Sequence, residues 1–411
     1  MRDVSPEVRA VVDRVLAGDE LGTRDAETLC QARGTDLHTV IAAADEMRER
    51  QVGPRVTYVV NRNINFTNVC IKHCGFCAFS REHREEEGYL LPVQEIVRRA
   101  REAVSLGATE ICVQAGLPPK LDGWYYIELV RALKKDLPEL HIHGFSPEEV
   151  LYGATRAGVG IRAYLEALRE AGHDTLPGTS AEILDDDVRD VIAKGRITTG
   201  QWIDVVTAAH ELGIRTTSTI MFGHVETYRH WVEHMALLRS IQKTTGGFTE
   251  FVPLSFVHQE APMYKKGLVG GVRQGPTGAE VIKMHAVARL MLGATFHNIQ
   301  ASWVKEGPKM AQYLLACGAN DLGGTLINES ISTSAGSAYG QLVGPAELRR
   351  LIRDAGRVPV QRDSVYGVVR VFDEDGATDE VSPLDHVADA EARFGSYRRL
   401  TLAPDFRFRH P

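Results

Sequence analysis

The fold of this chain is indicated by the stretch CIKHCGFC, residues Cys70–Cys77. It places three cysteines in a C-x3-C-x2-C spacing, soon after the β-rich run VTYVV at Val56–Val60. The loops that follow the strands of an α/β barrel are where such barrels hold their active sites. The stretch therefore predicts a loop carrying three clustered thiols at the active end of a barrel.

Beyond this stretch, short β-rich runs alternate with amphipathic helical patterns. The alternation predicts an α/β fold, a TIM-type (β/α)8 barrel. Because Pro177 and Gly178 interrupt the fourth run, a six-strand partial barrel stays open as an alternative. The predicted strands are Val56–Val60, Glu110–Gln114, Leu140–Phe145, Asp174–Ile183, Arg215–Met221, Phe248–Leu254, His297–Trp303 and Asp321–Ile327.

The two ends of the chain differ from its middle. Residues 1–55 read as an N-terminal helical extension, in which Ser5 and Pro6 form a typical helix start. Residues 56–360 carry the barrel pattern. Residues 361–411 mix acidic and basic side chains, and we expect them to form a peripheral C-terminal extension with little catalytic role.

Composition narrows the class of protein. The chain has 411 residues, 44% of them hydrophobic, and a net charge of -7. Its lysines and arginines form no basic block, which argues against binding to nucleic acid or to an anionic membrane. No apolar run approaches the ~20 residues of a membrane span, and the charged N-terminus has no apolar signal core. We therefore predict a cytoplasmic protein that acts on small molecules.

The three clustered cysteines, Cys70, Cys74 and Cys77, suit one kind of metal centre. Three thiolates on a short loop can bind three corners of a 4Fe–4S cluster and leave the fourth iron without a protein ligand. S-adenosylmethionine (SAM) requires such an open iron, because its amino and carboxylate groups chelate it. The motif therefore predicts a radical SAM enzyme.

Two other metal centres use similar ligands. A structural zinc site needs a fourth ligand, for which only His73 is near enough. An electron-transfer cluster of the ferredoxin type needs a fourth cysteine, and the loop has none. The remaining cysteines stand apart in the sequence, and six in total are too few for a disulfide scaffold.

A family resemblance extends well beyond the cysteines. It is carried by the segments Asn61–Ser80, His143–Glu149, Leu176–Glu182, Met221–Thr227, Phe248–Leu254, Asn298–Lys305 and Ala319–Thr325. These resemble the 5-amino-6-(D-ribitylamino)uracil:L-tyrosine 4-hydroxyphenyl transferases, the CofH-type second radical SAM component of deazaflavin FO synthase. Two positions depart from the family pattern: Ala115 stands where a double glycine is expected, and Thr333 where relatives tend to carry a basic residue.

The resemblance implies a reaction and its participants. The cofactors would be a 4Fe–4S cluster and SAM, and an external donor would supply the electron. The 4-hydroxybenzyl group of L-tyrosine would pass to 5-amino-6-(D-ribitylamino)uracil, and a partner radical SAM enzyme would complete FO, the precursor of coenzyme F-420. The Thr333 departure bears on substrate contacts rather than on the class of reaction.

Three residues are candidate contacts to SAM. Phe76 offers an aromatic face to the adenine, and the alternative is a residue of the core. Gln114 and Gly116 end the second predicted strand, where a glycine would let SAM approach the backbone. The alternative for Gly116 is an ordinary turn glycine.

Three further candidates carry acid or base groups near strand ends. Glu182 and Glu226 could accept hydrogen bonds from the ribose or amino group of SAM, although glutamates also favour helix starts for structural reasons. Glu182 and His224 are the candidate catalytic residues. For His224, the alternative is a structural histidine with satisfied hydrogen bonds.

Other functions stay open on the sequence alone. The radical SAM enzymes of the futalosine route to menaquinone share the cluster loop and the fold but use another substrate. From a different class, a metal-dependent barrel hydrolase could use His141 and His143, and a noncatalytic iron-sulfur protein could use the cysteines alone. Iron and sulfide content would separate the hydrolase, and SAM cleavage would separate the noncatalytic protein.

Overall fold

The strands of the chain form the predicted barrel. The computed structural model describes residues 4–372, 375–376 and 379–408. The strands are β1 Arg55–Val59, β2 Asn61–Ile64, β3 Glu110–Val113, β4 His141–Gly144, β5 Thr175–Leu176, β6 Arg215–Phe222, β7 Phe248–Ser255, β8 Asp321–Gly324, β9 Val358–Arg362 and β10 Val368–Val371.

Parallel pairing runs around the barrel. From β2 to β7 each strand pairs with the next along the chain. Beyond β7, single bridges join Phe251 to Ile299 and Gln300 to Asp321. β8 then pairs with β1, and a bridge from Ile327 to Arg62 reaches β2. The prediction of a TIM-type α/β barrel is confirmed in its partial form: in the described residues the strands form two sheets, and isolated bridges at the seventh position and at Arg62 link them.

Several predicted strands differ in extent from the observed ones. The first continues past Val60 as β2. The fourth shrinks to the two residues of β5, because Pro177 follows. Gly178 then passes close to β6, where an added Cβ would lie 2.0 Å from the carbonyl oxygen of Thr217. The predicted strand at His297–Trp303 is too long, since a helix already begins at its last residue.

Helices surround the strands, and within the described ranges none is long and apolar enough to cross a bilayer. The helices are α1 Pro6–Leu16, α2 Thr23–Gln31, α3 Thr35–Val52, α4 Val93–Ser105, α5 Tyr125–Asp136, α6 Pro147–Ala157, α7 Ile161–Glu170, α8 Asp186–Ile192, α9 Thr199–Glu211, α10 Tyr228–Thr245, α11 Pro262–Lys265, α12 Gly278–Leu292, α13 Trp303–Glu306, α14 Pro308–Leu314, α15 Ile331–Ser334, α16 Pro345–Asp354, α17 Ala390–Phe394 and α18 Tyr397–Leu402. Short 3-10 turns lie at Gly293–Thr295, Pro383–His386 and Pro404–Phe406.

The N-terminal helices pack against the outer helices of the barrel. α2 contacts α10 and α12, and α3 contacts α12. Their apolar side chains belong to the same hydrophobic core as those of the strands. The helical extension predicted from the sequence is therefore part of the folded body.

The C-terminal extension is not peripheral, contrary to the expectation from its composition. β9 spans the predicted boundary at residues 360 and 361 and pairs in parallel with β1. Arg362 on β9 reaches the start of β8, where its Nε donates to Oδ2 of Asp321 at 2.6 Å. Tyr366 donates its hydroxyl proton to Oε2 of Glu250 at 2.6 Å, near the start of β7. These contacts close the amino-terminal end of the barrel. Residues 373–374, 377–378 and 409–411 of the predicted extension lie outside the described part.

The ion pair between Arg362 and Asp321 yields a prediction about stability. Both side chains are buried, and Oε2 of Glu250 lies 4.0 Å from the same guanidinium. Arg362→Met should lower the free energy of unfolding by about 3–5 kcal/mol, because it leaves a buried carboxylate without its cation. Urea unfolding followed by circular dichroism measures the change.

The matched control is Arg350→Met, which removes an exposed arginine that pairs with Glu347 and Asp354 on its own helix. That variant should unfold at nearly the wild-type urea concentration. Equal unfolding midpoints for the two variants would contradict the structural role given to Arg362.

Candidate active site

A cavity of about 240 Å³ opens at the carboxyl ends of the strands. Its lining includes Cys70, Cys74 and Cys77, together with residues that follow β3, β4, β5, β7 and β8. This is the end at which α/β barrels carry out their chemistry. The cysteine loop and the strand ends thus face one shared space.

Backbone hydrogen bonds fix the cysteine loop on both sides. The amide of Cys70 donates to the carbonyl of Arg81 at 3.0 Å, and the amide of Ile71 donates to that of Leu117 at 2.8 Å. Gly75 donates to the carbonyl of Ile192 at 2.8 Å and accepts from the amide of Met263 at 2.7 Å. The loop therefore takes its position from segments far apart in the chain.

Burial disfavours the thiolate forms of two cysteines of the loop, Cys70 and Cys74. Burial raises the pKa of Cys70 and raises that of Cys74 to about 12, and the proximity of the other thiols adds to both effects. Arg196 acts in the opposite direction on both. Metal binding would offset this penalty, because thiolates bind metal in the deprotonated form. Three soft sulfur donors beside an open cavity fit a 4Fe–4S cluster.

The structure does not favour a zinc site, because its candidate fourth ligand, His73, points largely to solvent. The side chain of His73 is 71% exposed, and its ring nitrogen Nδ1 lies 3.9 Å from Oε1 of Glu82. Across the described ranges, no group of three or more His, Cys, Asp or Glu side chains is arranged to hold a single metal ion.

Gly116 lines the cavity, as predicted for a SAM contact, but its close approach is to the protein itself. A Cβ at this position would lie 2.3 Å from the carbonyl oxygen of Val69, just before the first cysteine. The amide of Gly116 donates to the carbonyl of Thr67 at 2.9 Å. The absence of a side chain at Gly116 thus lets the strand end pack against the cysteine loop.

Gln114 and Phe76 also line the cavity. Nε2 of Gln114 donates to Oγ1 of Thr179 at 3.1 Å, which ties the ends of β3 and β5 together. The ring of Phe76 lies 5.7 Å from the guanidinium carbon of Arg196. Contact of either side chain with SAM stays a prediction.

A charged network centred on Arg196 borders the cysteine loop. Its guanidinium donates to Oε1 of Glu182 at 3.0 Å, to Oγ of Ser180 at 2.6 Å and to Oε2 of Glu148 at 3.3 Å. Nζ of Lys72 lies 3.2 Å from Oε1 of Glu148. The network links the loop to the ends of β4 and β5.

Glu182 has the features expected of a group that accepts from a bound cofactor. It lines the cavity, its φ is 38°, and its buried Oε2 has no hydrogen-bond partner within the part of the chain that the structure describes. Left-handed backbone at a residue other than glycine is strained, and such strain is common at functional sites. Nη1 of Arg189 lies 3.7 Å from this oxygen, too far for a hydrogen bond, and a buried acceptor without a hydrogen bond is costly until a donor arrives. These features support the SAM contact predicted for Glu182.

Glu226 and His224, in contrast, do not reach the cavity. Glu226 is buried, and its carboxylate oxygens accept hydrogen bonds from neighbouring protein groups. It therefore stabilises the loop to which it belongs. His224 is buried, which lowers its pKa, and its Nε2 lies 3.0 Å from the carbonyl oxygen of Met221. The donors to Glu226 are the amides of Gly223 and His224, Nε1 of Trp231 and Nη2 of Arg273. Among the described residues no contact of Glu226 or His224 with the cavity lining supports their predicted roles, which stay predictions.

The histidine pair of the hydrolase alternative lies away from the cavity. Nε2 of His141 and Nδ1 of His143 both contact Oγ1 of Thr175, at 2.7 and 2.8 Å. Burial lowers the pKa of His143 to about 4. The two rings therefore have a hydroxyl partner between them, which favours a structural role.

Sequence reasoning missed several residues that line the cavity. Glu149 accepts from the amides of Ser146 and Ala115, and burial raises its pKa to about 7. Ser146 and Glu149 have the spacing of a capping box, and this pattern could have predicted that Glu149 lies at a helix start. Arg196 gave no local signal, because it lies in a turn between α8 and α9 and acts on distant partners.

Comparison with known proteins defines the class. The model of the radical SAM superfamily matches residues 64–238, and that of the CofH/MqnC C-terminal region matches residues 245–374. The chain is therefore a radical SAM enzyme, and its cofactors are a 4Fe–4S cluster and SAM.

Curated relatives narrow the class to one family. The chain is 49% identical over 351 residues to the 5-amino-6-(D-ribitylamino)uracil–L-tyrosine 4-hydroxyphenyl transferase of Methanothermobacter thermautotrophicus, covering 85% of this chain and 95% of that one. The protein of the same name from Methanopyrus kandleri is 47% identical, over 90% of this chain and 100% of its own. The chain belongs to this family of transferases. It is also 50% identical to the FO synthase of Mycobacterium leprae, of which it spans 40%, with 85% of this chain covered.

Solved structures support the fold. The FeFe-hydrogenase maturase HydG of Carboxydothermus hydrogenoformans superposes with a TM-score of 0.68 at 18% identity, over 88% of this chain and 80% of that one. Methylornithine synthase (PylB) gives a TM-score of 0.60 at 21% identity, over 84% and 95%. At these identities the likeness concerns the fold alone.

The close approach at Gly116 yields a prediction about cluster assembly. Gly116→Ala should reduce the iron and sulfide bound per chain after anaerobic reconstitution, because the added methyl group must displace the backbone at Val69. The control is Gly200→Ala, in the first turn of α9, where the nearest atom to an added Cβ lies 4.0 Å away. Full iron and sulfide content in Gly116→Ala would show that the loop tolerates the displacement.

Proposed function

We propose that this chain transfers the 4-hydroxybenzyl group of L-tyrosine to 5-amino-6-(D-ribitylamino)uracil, on the route to deazaflavin FO. The observation that carries the proposal is the identity of 47% to 49%, over most of both chains, to relatives named for that transfer. The cavity supports it, because one space joins the cysteine loop to the ends of β7 and β8.

The two sides of the cavity differ in character, which suits two kinds of ligand. The charged network of Lys72, Glu148, Glu182 and Arg196 borders the cysteines. The wall at Leu254–Val257, with Ile331 and Ala335, is largely apolar. A charged side suits the amino-acid end of SAM, and an apolar wall suits an aromatic substrate.

Within this arrangement, the residues of the chain orient and separate the reactants. When bound, the cluster and SAM supply the radical that removes a hydrogen atom from tyrosine. A fragment released without an acceptor beside it would be quenched elsewhere, so the cavity has to hold tyrosine and the uracil together. The hydrogen bonds of Gln114 to Thr179 and of Arg196 to Glu182 fix the strand ends that form this space.

Further participants are proposed with the reaction. The chain spans 40% of the M. leprae FO synthase, which supports a further component for the completion of FO. We assign the remaining step to a partner radical SAM enzyme and the reducing equivalent to an external electron donor. The cytoplasmic location stays a prediction.

The proposal predicts where the tyrosine ring goes. Cluster-loaded protein with SAM, a strong reductant, ring-labelled tyrosine and the diaminouracil should form a labelled uracil adduct, because the benzyl fragment bonds to the acceptor held beside it. Glyoxylate should appear in equal amount, from hydrolysis of dehydroglycine. Anaerobic incubation followed by mass spectrometry measures both products.

The C-terminal family model is shared by CofH and MqnC proteins, which makes the futalosine-route reaction the alternative outcome. Formation of 5′-deoxyadenosine without label in the uracil, together with turnover of an aminofutalosine-type substrate, would contradict the proposed transfer and leave the radical SAM class intact. A control incubation without the diaminouracil measures how much label leaves tyrosine when no acceptor is present.

A further inference from the structure

Three cationic side chains line the cavity, and two of them have partners. Arg196 donates to Glu148 and Glu182. Lys72 pairs with Glu148 and donates to the carbonyl of Gly195 at 2.5 Å. Both lie on the side of the cysteine loop. The third cation, Lys305, lies where the chain passes from β7 to β8, and it is near enough to Cys77 for the two side chains to interact electrostatically.

Lys305 is held in place but its ammonium group is unpaired. It belongs to α13, whose first residue, Trp303, donates from Nε1 to the carbonyl of Gly324 at 2.8 Å. In the described part of the chain, Nζ of Lys305 has no hydrogen bond and no ion pair within 4.0 Å. Burial lowers the pKa of Lys305. A partly buried cation without a partner is unfavourable in the empty cavity.

The nearest carboxylates do not supply that partner, because each is engaged elsewhere. Ser255 donates its hydroxyl proton to Oε1 of Glu306 at 2.5 Å. Glu329 accepts from the amide of Ser332 at 2.8 Å. The hydroxyl of Thr333 donates to the carbonyl of Glu329 at 3.0 Å, and the Thr333 side chain carries no charge. Within the part of the chain that the structure describes, Lys305 is thus the cation of the cavity lining that remains available to a ligand.

We propose that Lys305 binds the carboxylate of the amino-acid substrate. An ammonium group paired with a carboxylate forms a strong, charge-assisted hydrogen bond, and it would hold the α-carbon end of the substrate at a fixed distance from the cysteine loop. The aromatic ring would then lie along the apolar wall of Ile331 and Ala335. The inference rests on the proposed function, since it takes L-tyrosine as the ligand.

The test compares two ligands on cluster-loaded protein without reductant, so that binding is measured apart from turnover. Tyramine has the phenol and amine of tyrosine but lacks its carboxylate. Lys305→Met should weaken the binding of tyrosine, in equilibrium dialysis with SAM present, by about tenfold to a hundredfold. Binding of tyramine should change less than about twofold. Lys305→Arg should recover part of the affinity for tyrosine.

Lys309→Met is the matched control, because Lys309 is exposed on α14 and lies outside the cavity lining. It should bind tyrosine as the wild type does. Equal losses for tyrosine and tyramine in Lys305→Met would overturn the carboxylate contact, and so would a loss of SAM affinity as large as that of tyrosine. Wild-type protein that binds no tyrosine would overturn the proposed function itself, and with it the ligand assigned to Lys305.

Discussion

Three thiolates that come from one loop of eight residues have to meet at the open end of the barrel, and much of the structure around the cavity serves to hold that loop. Its backbone is tied to segments that follow β2 and β3, to the last residue of α8 and to the start of α11. Gly116 allows the closest of these approaches. The C-terminal extension adds a further support, because Tyr397 donates to the carbonyl of Phe79 at 2.8 Å and Phe408 donates to that of Gly88 at 2.7 Å.

The two ends of the barrel are built for different tasks. At the amino-terminal end, buried charges neutralise one another, as in the ion pair of Arg362 with Asp321, and the C-terminal extension closes the opening. At the carboxyl end, charges are left incompletely satisfied, as at Oε2 of Glu182 and at Lys305. Buried polar or charged groups without a hydrogen-bond partner lower the stability of the ligand-free protein, and a bound ligand would offset that loss. The contrast explains why stability and function can be probed at separate positions.

The sequence predicted the features that local patterns determine. The C-x3-C-x2-C spacing and the alternation of strands and helices were enough for the cluster loop and for the barrel. Interactions between segments that are distant in sequence could not be predicted. Arg196 is important because the fold brings Glu148 and Glu182 to it, and Lys305 because, among the described residues, the fold leaves its ammonium group without a partner. The surroundings of Glu226 could not be predicted either: a carboxylate at a strand end looks like a ligand group, and only the fold shows the four protein donors around it.

The central claim is that Cys70, Cys74 and Cys77 hold a 4Fe–4S cluster whose remaining iron binds SAM. Electron paramagnetic resonance of the anaerobically reduced protein, recorded with and without SAM, tests it most directly, because a ligand on an iron of the cluster changes the electronic structure of the whole cluster. The account predicts a 4Fe–4S signal whose g values shift when SAM is added. A signal that is identical with and without saturating SAM would contradict it.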